Sequence, residues 1–474
     1  MLSDLAISKE SWDFMNGAPS RNYGEWVLGI SVAGHGGSVC LLQDGNIVFF
    51  LKEERTTGIK RDCVAPFKSL NEVKKYTNEL DLVVFVNVNG DYEELFLNQL
   101  RKQKIKIHEH LTPEYAVEDI GESYEDVYDD CLLSFHHINH ASCGYHLSPF
   151  SAGDVDEETL IIVMDGWGYV GGVNELFKGC NQFNDNVIRA YDSLSGELRY
   201  GVRIYEHVSI FSATPIVDQW QLLHKEVASD FTRNVNLEGF YSDLKFIEDD
   251  YKKLFETNDR TANAEIHLAP TCSTPVLYES VTQLIGFHQE DVGKTMGMAP
   301  YGKPNEKIPP FAVKNEYLDT SDVISNNLLL NTVKYPELID FDLGTDFQNR
   351  ADVAYAVQKT LEEKVFNVVE RAMSLSDSKK VVLSGGVFHN IIINEMLASK
   401  YPDYTFFADP ICDDAGHSYG GAMFYWKSTG YKGNFENTDI VHPLPPDTMY
   451  LGPEYSPEEQ LKRIKNWFKK STNK

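Results

Sequence analysis

The chain has 474 residues, 42% of them hydrophobic and 24% charged, which suits a soluble globular protein of two or more lobes with substantial cores. Its formal charge is −28, from 43 basic against 71 acidic residues; this argues against a broad nucleic-acid or anionic-membrane surface, though not against a local basic groove. No apolar run is long enough to span a bilayer, the N-terminus has no signal-peptide pattern, and seven scattered cysteines form no CxxC pair, so a reducing, cytoplasmic setting fits.

Residues 1–23 read as a polar N-terminal arm. Trp26 to Ser31 is an apolar run of strand length, followed by a small-residue loop from Ala33 to Ser38 that contains His35. Val39 to Leu42 and Ile47 to Leu51 flank Asp44-Gly45, a hairpin signal. The charged stretch from Glu53 to Asp62 contains Lys60, and Leu80 to Val88 is a buried-type strand. Phe135 to Ala141 packs three histidines into five residues, and Ser148-Pro149 ends that helix. After an acidic connector, Leu160 to Met164 reads as a strand, Asp165-Gly166-Trp167-Gly168 as a glycine turn, and Gly171 to Lys178 and Val187 to Tyr191 as the next strands. The opening pattern thus recurs in outline, which predicts two related α/β lobes with glycine loops facing a shared cleft.

Residues 196–270 carry no motif and read as an insertion, either a structural elaboration or a cover that shapes acceptor choice. Val276 to Phe287 and Phe347 to Ser374 have helical periodicity, Lys379 to Leu383 is a strand, and Asn390 to Ala398 begins a helix. Phe406 to Ala408 runs as a short strand into Asp413-Asp414-Ala415-Gly416-His417, and a small-residue helix follows from Tyr419. Prolines from 443 to 453 mark a linker, and Ser456-Pro457-Glu458-Glu459 starts a helix that runs to about Lys470. The expected organisation is an arm at 1–23, lobe I at 24–156, lobe II at 157–430, and a linker with a C-terminal helix at 431–474.

His136 and His140, four apart on a helix, share one face; this suits two ligands of one divalent metal and equally two ordinary helix histidines. Asp165 and Asp414 each lie at a strand end or in a glycine loop, positions that converge on the cleft in a two-lobed α/β fold. Singly they read as turn or cap residues; together with the histidines they make a mixed N/O site suited to Fe, Mn or Zn more than Ca. Ser384-Gly385-Gly386-Val387, between strand and helix, either cradles a phosphate or simply makes a tight turn. It is neither a P-loop nor a GxGxxG motif, and Ser384 is not in a GxSxG elbow. His35 is an acid/base candidate or a loop histidine, and Lys60 lies in what also reads as a solvated face. His389 and His417 have no assigned role.

These blocks occur in the order of a known family. The chain resembles the O-carbamoyltransferases of the nodulation and antibiotic-tailoring type, whose larger domain is similar to the universal tRNA threonylcarbamoyladenosine protein. The blocks that carry the resemblance are Gly29-Ile30-Ser31 to His35, Glu53-Glu54-Arg55 with Lys60, and His136 to Ala141. Asp165 to Gly168, Gly293 to Gly302, Ser384 to Asn390, Asp414 to Gly416 and Leu451 to Ser456 complete the set. The implied fold is α/β, two RNase H-like lobes of the actin/sugar-kinase/Hsp70 type around a nucleotide cleft.

The resemblance implies that carbamoyl phosphate and ATP give a carbamoyl-adenylate, whose carbonyl is then attacked by an acceptor hydroxyl. The implied metal ligands are His136, His140, Asp165 and Asp414, holding Fe2+ or another divalent ion, with Mg2+ a further candidate. The implied catalytic residues are His35 and Lys60. Gly166, Gly168, Lys294, Ser384, Gly385, Gly386 and Asn390 are implied to bind the nucleotide. Two departures stand out. Gly36 follows His35 where the family often has Asp, and the chain ends at Lys474, before the YrdC-like domain that usually makes the adenylate. A truncated chain, a separate YrdC-like subunit, and loss of the first step are the three readings. A tRNA threonylcarbamoyladenosine-type transferase and a non-catalytic nucleotide-binding regulatory module are the alternatives in function. Acceptor identity and oligomeric state stay open.

Overall fold

Strand β1 (Trp26–Ser31) pairs antiparallel with β2 (Ser38–Gln43), and β2 pairs antiparallel with β3 (Asn46–Lys52). Asp44 and Gly45 join the last two with φ of 49° and 76°, the successive left-handed conformations that a two-residue type I′ turn needs. β4 (Glu79–Val86) and β5 (Lys106–Leu111) add in parallel, which gives the order β3-β2-β1-β4-β5.

The computed structural model describes residues 26–32, 37–59, 65–86, 90–111, 135–153, 156–172, 203–215, 220–230, 265–269, 273–288, 291–306 and 346–430, with short pieces between 189 and 200, between 308 and 330, and between 456 and 465. The N-terminal arm, His35, Lys60, the proline linker and most of the C-terminal helix lie outside the described residues.

The second sheet repeats the first. β6 (Thr159–Gly172) pairs antiparallel with β7 (Arg203–Ala213), and β7 antiparallel with β8 (Gln221–Asp230). β8 carries one additional parallel strand, β9 (Glu265–Ala269). β10 (Lys380–Ser384) lies parallel to β6, and β11 (Thr405–Ala408) parallel to β10. Without β9 the order β8-β7-β6-β10-β11 matches the first sheet strand for strand and direction for direction. The recurring sequence pattern predicts two related α/β lobes, and the repeated strand order is the RNase H-like one that the resemblance implies. The stretch 196–270, read from the sequence as an insertion, supplies β7 and β8, the counterparts of β2 and β3.

In the first lobe the buried carboxylate of Glu53 opens α1 (Glu53–Thr57) and caps α2 (Phe67–Leu70). It accepts from Lys68 N at 3.0 Å and from Ser69 N at 2.8 Å. α3 (Gly90–Lys102) sets Phe96 and Leu100 against Phe85 and Phe49 in that core. α4 (Phe135–Leu147) carries the histidine cluster. In the second lobe, α5 (Thr274–Leu284) begins at a Ser273 cap, and α6 (Val292–Met298) packs beside it. α7 (Phe347–Leu375) begins at an Asp346 cap and buries Val357, Leu361 and Val365 against Ile162, Val208 and Leu383. α8 (Ile391–Lys400) is capped by Asn390, and α9 (His417–Gly430) closes the lobe pair.

α4 and α9 are exchanged between the sheets. α4 precedes the boundary expected at 156 yet packs on β6 and β10, whereas α9 packs on β1, β2 and β4. Glycines let these layers approach. A Cβ at Gly29 of β1 would fall on the Ser418 carbonyl, and one at Gly420 would fall on the Asn139 carbonyl of α4. The two helices therefore touch backbone to backbone, and the histidine cluster lies at that crossing.

Candidate metal centre and adjoining cavity

β6 is interrupted where the glycine turn was expected. Met164 pairs with Val208 and Gly168 with Glu206, so Asp165, Gly166 and Trp167 stand opposite His207 alone. This bulge lifts Asp165 out of the ladder. Gly168 marks its far side, where a Cβ would collide with Glu206. Asp165 Oδ2 lies 3.1 Å from His136 Nε2 and 4.0 Å from His140 Nε2. Asp414 Oδ1 lies 3.4 Å from His140 Nε2 and 3.7 Å from His136 Nε2. All four residues implied as ligands thus converge where α4, β6 and the 3-10 turn before α9 meet.

The structure adds His417. Its ring centroid is 4.1 Å from that of His140 and 4.4 Å from that of His136. His136, His140, Asp414 and His417 each offer one donor atom, all within 4.8 Å of one another. Two ligands each about 2.2 Å from a shared ion stand at most about 4.4 Å apart, so the group matches one ion after a shift of a few tenths of an ångström. The signal in the sequence was the placement of His417 three residues beyond Asp414 at a helix start.

The donors fit a divalent transition metal on their chemistry as well. His140 is fully buried, and neither of its ring nitrogens makes a hydrogen bond, an arrangement that costs free energy unless an ion takes the lone pair. Burial pushes the His136 imidazole down, but its bond to Asp165 and the charge of Asp414 outweigh this and raise it to about 9. The cluster thus draws positive charge to its centre. Burial opposes ionisation of Asp165, yet the surrounding histidines hold it well below the usual carboxylate range. Burial, and then His140 and His136, hold His417 well below its ordinary value, which favours the neutral imidazole, the form that coordinates metals.

A second tier fixes α4. His137 N donates to Glu206 Oε1 at 2.9 Å, and His137 Nδ1 lies 2.8 Å from Ser209 Oγ. Glu206 is ion-paired with the buried Lys225 of β8. No motif announced these residues, because they come from β7 and β8.

The cluster opens onto a cavity of about 330 Å³ lined by Asp165, Gly166, Gly386, Asn390, Asp413 and Asp414 among others. Gly386 N donates to Asp165 Oδ1 at 3.3 Å, so the glycine turn after β10 touches the histidine-carboxylate cluster. That turn requires glycine at 385, where φ is 92° and a Cβ would strike the Met164 carbonyl. Asn390 also holds Gln358 Oε1 at 2.9 Å. Ser384 does not line the cavity; its hydroxyl donates to Asp409 Oδ2 at 2.7 Å. Gly168 lies beneath, against Glu206, and Lys294 is exposed and paired with Asp291 at 2.6 Å, beside the lining Gly293. Lys52 reaches across the lobes to Asp413 at 2.5 Å.

Comparison with known proteins gives a consistent result. The chain matches the family model described as carbamoyltransferase N-terminus over residues 26–195 and 247–423. The gap in that match contains β7, β8, Glu206 and Lys225. A nodulation protein NolNO of Sinorhizobium fredii is 23% identical over 448 residues, covering 90% of this chain and 51% of that protein. A nodulation protein NolO of Bradyrhizobium diazoefficiens is 28% identical over 196 residues, 40% of this chain and 33% of that one. A tRNA N6-adenosine threonylcarbamoyltransferase of Encephalitozoon cuniculi is 32% identical over 88 residues, 19% of this chain and 23% of that protein. The chain thus spans about half the length of NolNO and less of the NolO and threonylcarbamoyltransferase relatives. With the model matched across both lobes, the chain belongs to the carbamoyltransferase N-terminus family.

Proposed function

We propose that this chain transfers a carbamoyl group from carbamoyl-adenylate to a hydroxyl of a small molecule or modified nucleotide, the adenylate being formed from carbamoyl phosphate and ATP. The observation that carries this reading is that Asp165 and Asp414 line the same cavity as the Gly386 turn, and that Asp165 is tied to both His136 and Gly386.

Glu54, Asp165, Glu279, Asp413 and Asp414 line that cavity against Lys52 and His389. So acidic a wall repels an adenylate phosphate unless a cation offsets it. His136, His140, Asp165 and Asp414 would hold that cation, iron in the first instance, which when bound supplies Lewis acidity and stabilises negative charge on phosphate oxygens. Gly386 lines the cavity, and its contact with Asp165 would keep a nucleotide bound at this turn in register with the centre. Lys52, held by Asp413, sits at the lobe junction where the cavity opens.

In the transfer step the acceptor oxygen bonds to the carbamoyl carbon, the bond from that carbon to the AMP phosphate oxygen breaks, and the hydroxyl proton is lost. His35 would take that proton and Lys60 would neutralise the transferring group. These two roles rest on the resemblance. Formation of the adenylate by this chain, or by a YrdC-like partner, is the other open half of the reaction.

The test uses the full chain loaded with Fe2+. Carbamoyl-adenylate is supplied with a panel of polyols and nucleosides, and AMP and carbamoylated product are quantified. In parallel, ATP with carbamoyl phosphate is tested for AMP. Product from supplied adenylate supports the transfer reading, and AMP in the second arm adds the adenylation step. Absence of adenylate consumption with every acceptor class would count against transfer and favour the regulatory module.

A further inference from the structure

We propose that His417 is itself a ligand of the metal at this centre, giving it three imidazoles beside the carboxylates. The inference rests on the metal reading of the proposed function and extends its ligand set. Among the described residues, the four-donor group that closes to within 4.8 Å comprises His136, His140, Asp414 and His417. Asp165 is outside that group. Its Oδ2 is 4.0 Å from His140 Nε2, and its Oδ1 is engaged by Gly386 N at 3.3 Å. His417 thus adds to the cluster a donor that the family pattern does not supply.

Its position follows from the chain. Asp414 to Gly416 form one 3-10 turn, and His417 is the first residue of α9. A three-residue spacing in such a turn brings Asp414 and His417 to the same side. Gly416 between them permits the close fold, since a Cβ there would strike the Ile411 carbonyl and Cys143. His417 is fully buried, with its ring edge-on to both His136 and His140. The three rings meet at angles of 68° to 88°, and each offers one nitrogen to the group of donors that lie within 4.8 Å of one another.

The chemical consequence is selectivity. A third imidazole beside the carboxylates favours the later, more nitrogen-seeking ions, Fe2+, Co2+ and Zn2+, over Mn2+ and Mg2+. It is also neutral, so two carboxylates and a divalent ion leave the centre without net charge, which suits a phosphate-bearing ligand in a cavity already crowded with acids.

The decisive measurement is the count of coordinated imidazoles in the Co2+-loaded full chain. Each bound ring gives one strongly shifted, exchangeable N–H proton resonance that vanishes in D2O. Three such resonances in the wild type and two in His417→Gln are expected, together with Zn2+ affinity reduced by more than roughly 100-fold, beyond the range of outer-sphere changes. Two resonances in the wild type would overturn the role of His417 and leave the metal reading standing. Failure to bind Co2+ or Zn2+ at all would remove both. If His417→Gln does not fold, the wild-type count alone decides, because His417 is the third imidazole within reach among the described residues.

Discussion

Glu206 and His137 are 69 residues apart in the chain, and Glu206 Oε1 accepts the His137 backbone N–H at 2.9 Å. A strand thereby caps the first turn of the helix that presents His136 and His140. The same carboxylate is ion-paired with the buried Lys225. Replacing it with alanine strands a buried ammonium and an uncapped amide, a change worth about 3–5 kcal/mol. Glu206→Ala is expected to lower the urea midpoint sharply and to weaken metal binding. Glu206→Gln keeps an acceptor for His137 and is expected to recover part of the metal affinity. Equal metal affinity in all three proteins would show that the cap does not position the histidines.

Metal loading itself is open to a direct check. His140→Ala and Asp414→Ala each remove one donor from the buried cluster. Each is expected to reduce metal retained after dialysis, read by elemental analysis, with affinity lower by at least about 100-fold. Retention equal to wild type in both variants would exclude this cluster as the ion's position.

The helix crossing predicts a steric effect. Gly420→Ala places a methyl on the Asn139 carbonyl, and overpacking of this kind costs about 1–3 kcal/mol. The melting temperature should fall, and metal affinity with it, because α4 and α9 carry the clustered histidines on both sides of the contact. Gly297→Ala in α6 is the control. Nothing lies within 4 Å of a Cβ there, and stability should hold or rise by about 0.5–1 kcal/mol. Similar losses in both variants would contradict the close crossing.

Acid stability follows from the buried network of the second lobe. Burial lowers His207 to about 4 against the pull of Glu226. Between pH 6.5 and 4 the unfolded chain takes up a proton there that the folded chain refuses, so stability falls as pH falls through that window. The contribution is on the order of 3 kcal/mol. Burial opposes ionisation of Glu226, but Lys364 at 2.6 Å and the two histidines hold it far below its usual range. Its contribution is lost as pH drops further. Denaturant midpoints from pH 4 to 7 should slope less in His207→Gln than in wild type; parallel curves would refute the assignment.

The sequence was most legible where local chemistry decides structure. Asp44-Gly45 fixed a hairpin, the period of Phe347–Leu375 fixed a long helix, and the spacing of His136 and His140 put two imidazoles on one face. It was least legible at β7 and β8. Gln221–Asp230 carries His224, Lys225 and Glu226 in its middle, all buried. Alternation rules read such residues as solvent-facing, but their partners, Glu206 and Lys364, come from distant parts of the chain. The Asp165 turn was placed correctly but is a bulge within one long strand, since the pairing resumes at Gly168. His417 was passed over because a lone histidine at a helix start has no period to betray it. The exchange of α4 and α9 between sheets was also hidden, being a matter of which surface each helix meets.

That exchange sets a timetable for biosynthesis. The cluster draws on positions 136 to 417, and the face of β1 and β4 stays uncovered until α9 has been made. A ribosome that has released only the first sheet has released neither a finished lobe nor the full histidine-carboxylate cluster. The clustered donors therefore come together only after residue 417 has emerged from the exit tunnel, and a nascent chain stalled before residue 430 would expose an apolar sheet to chaperones.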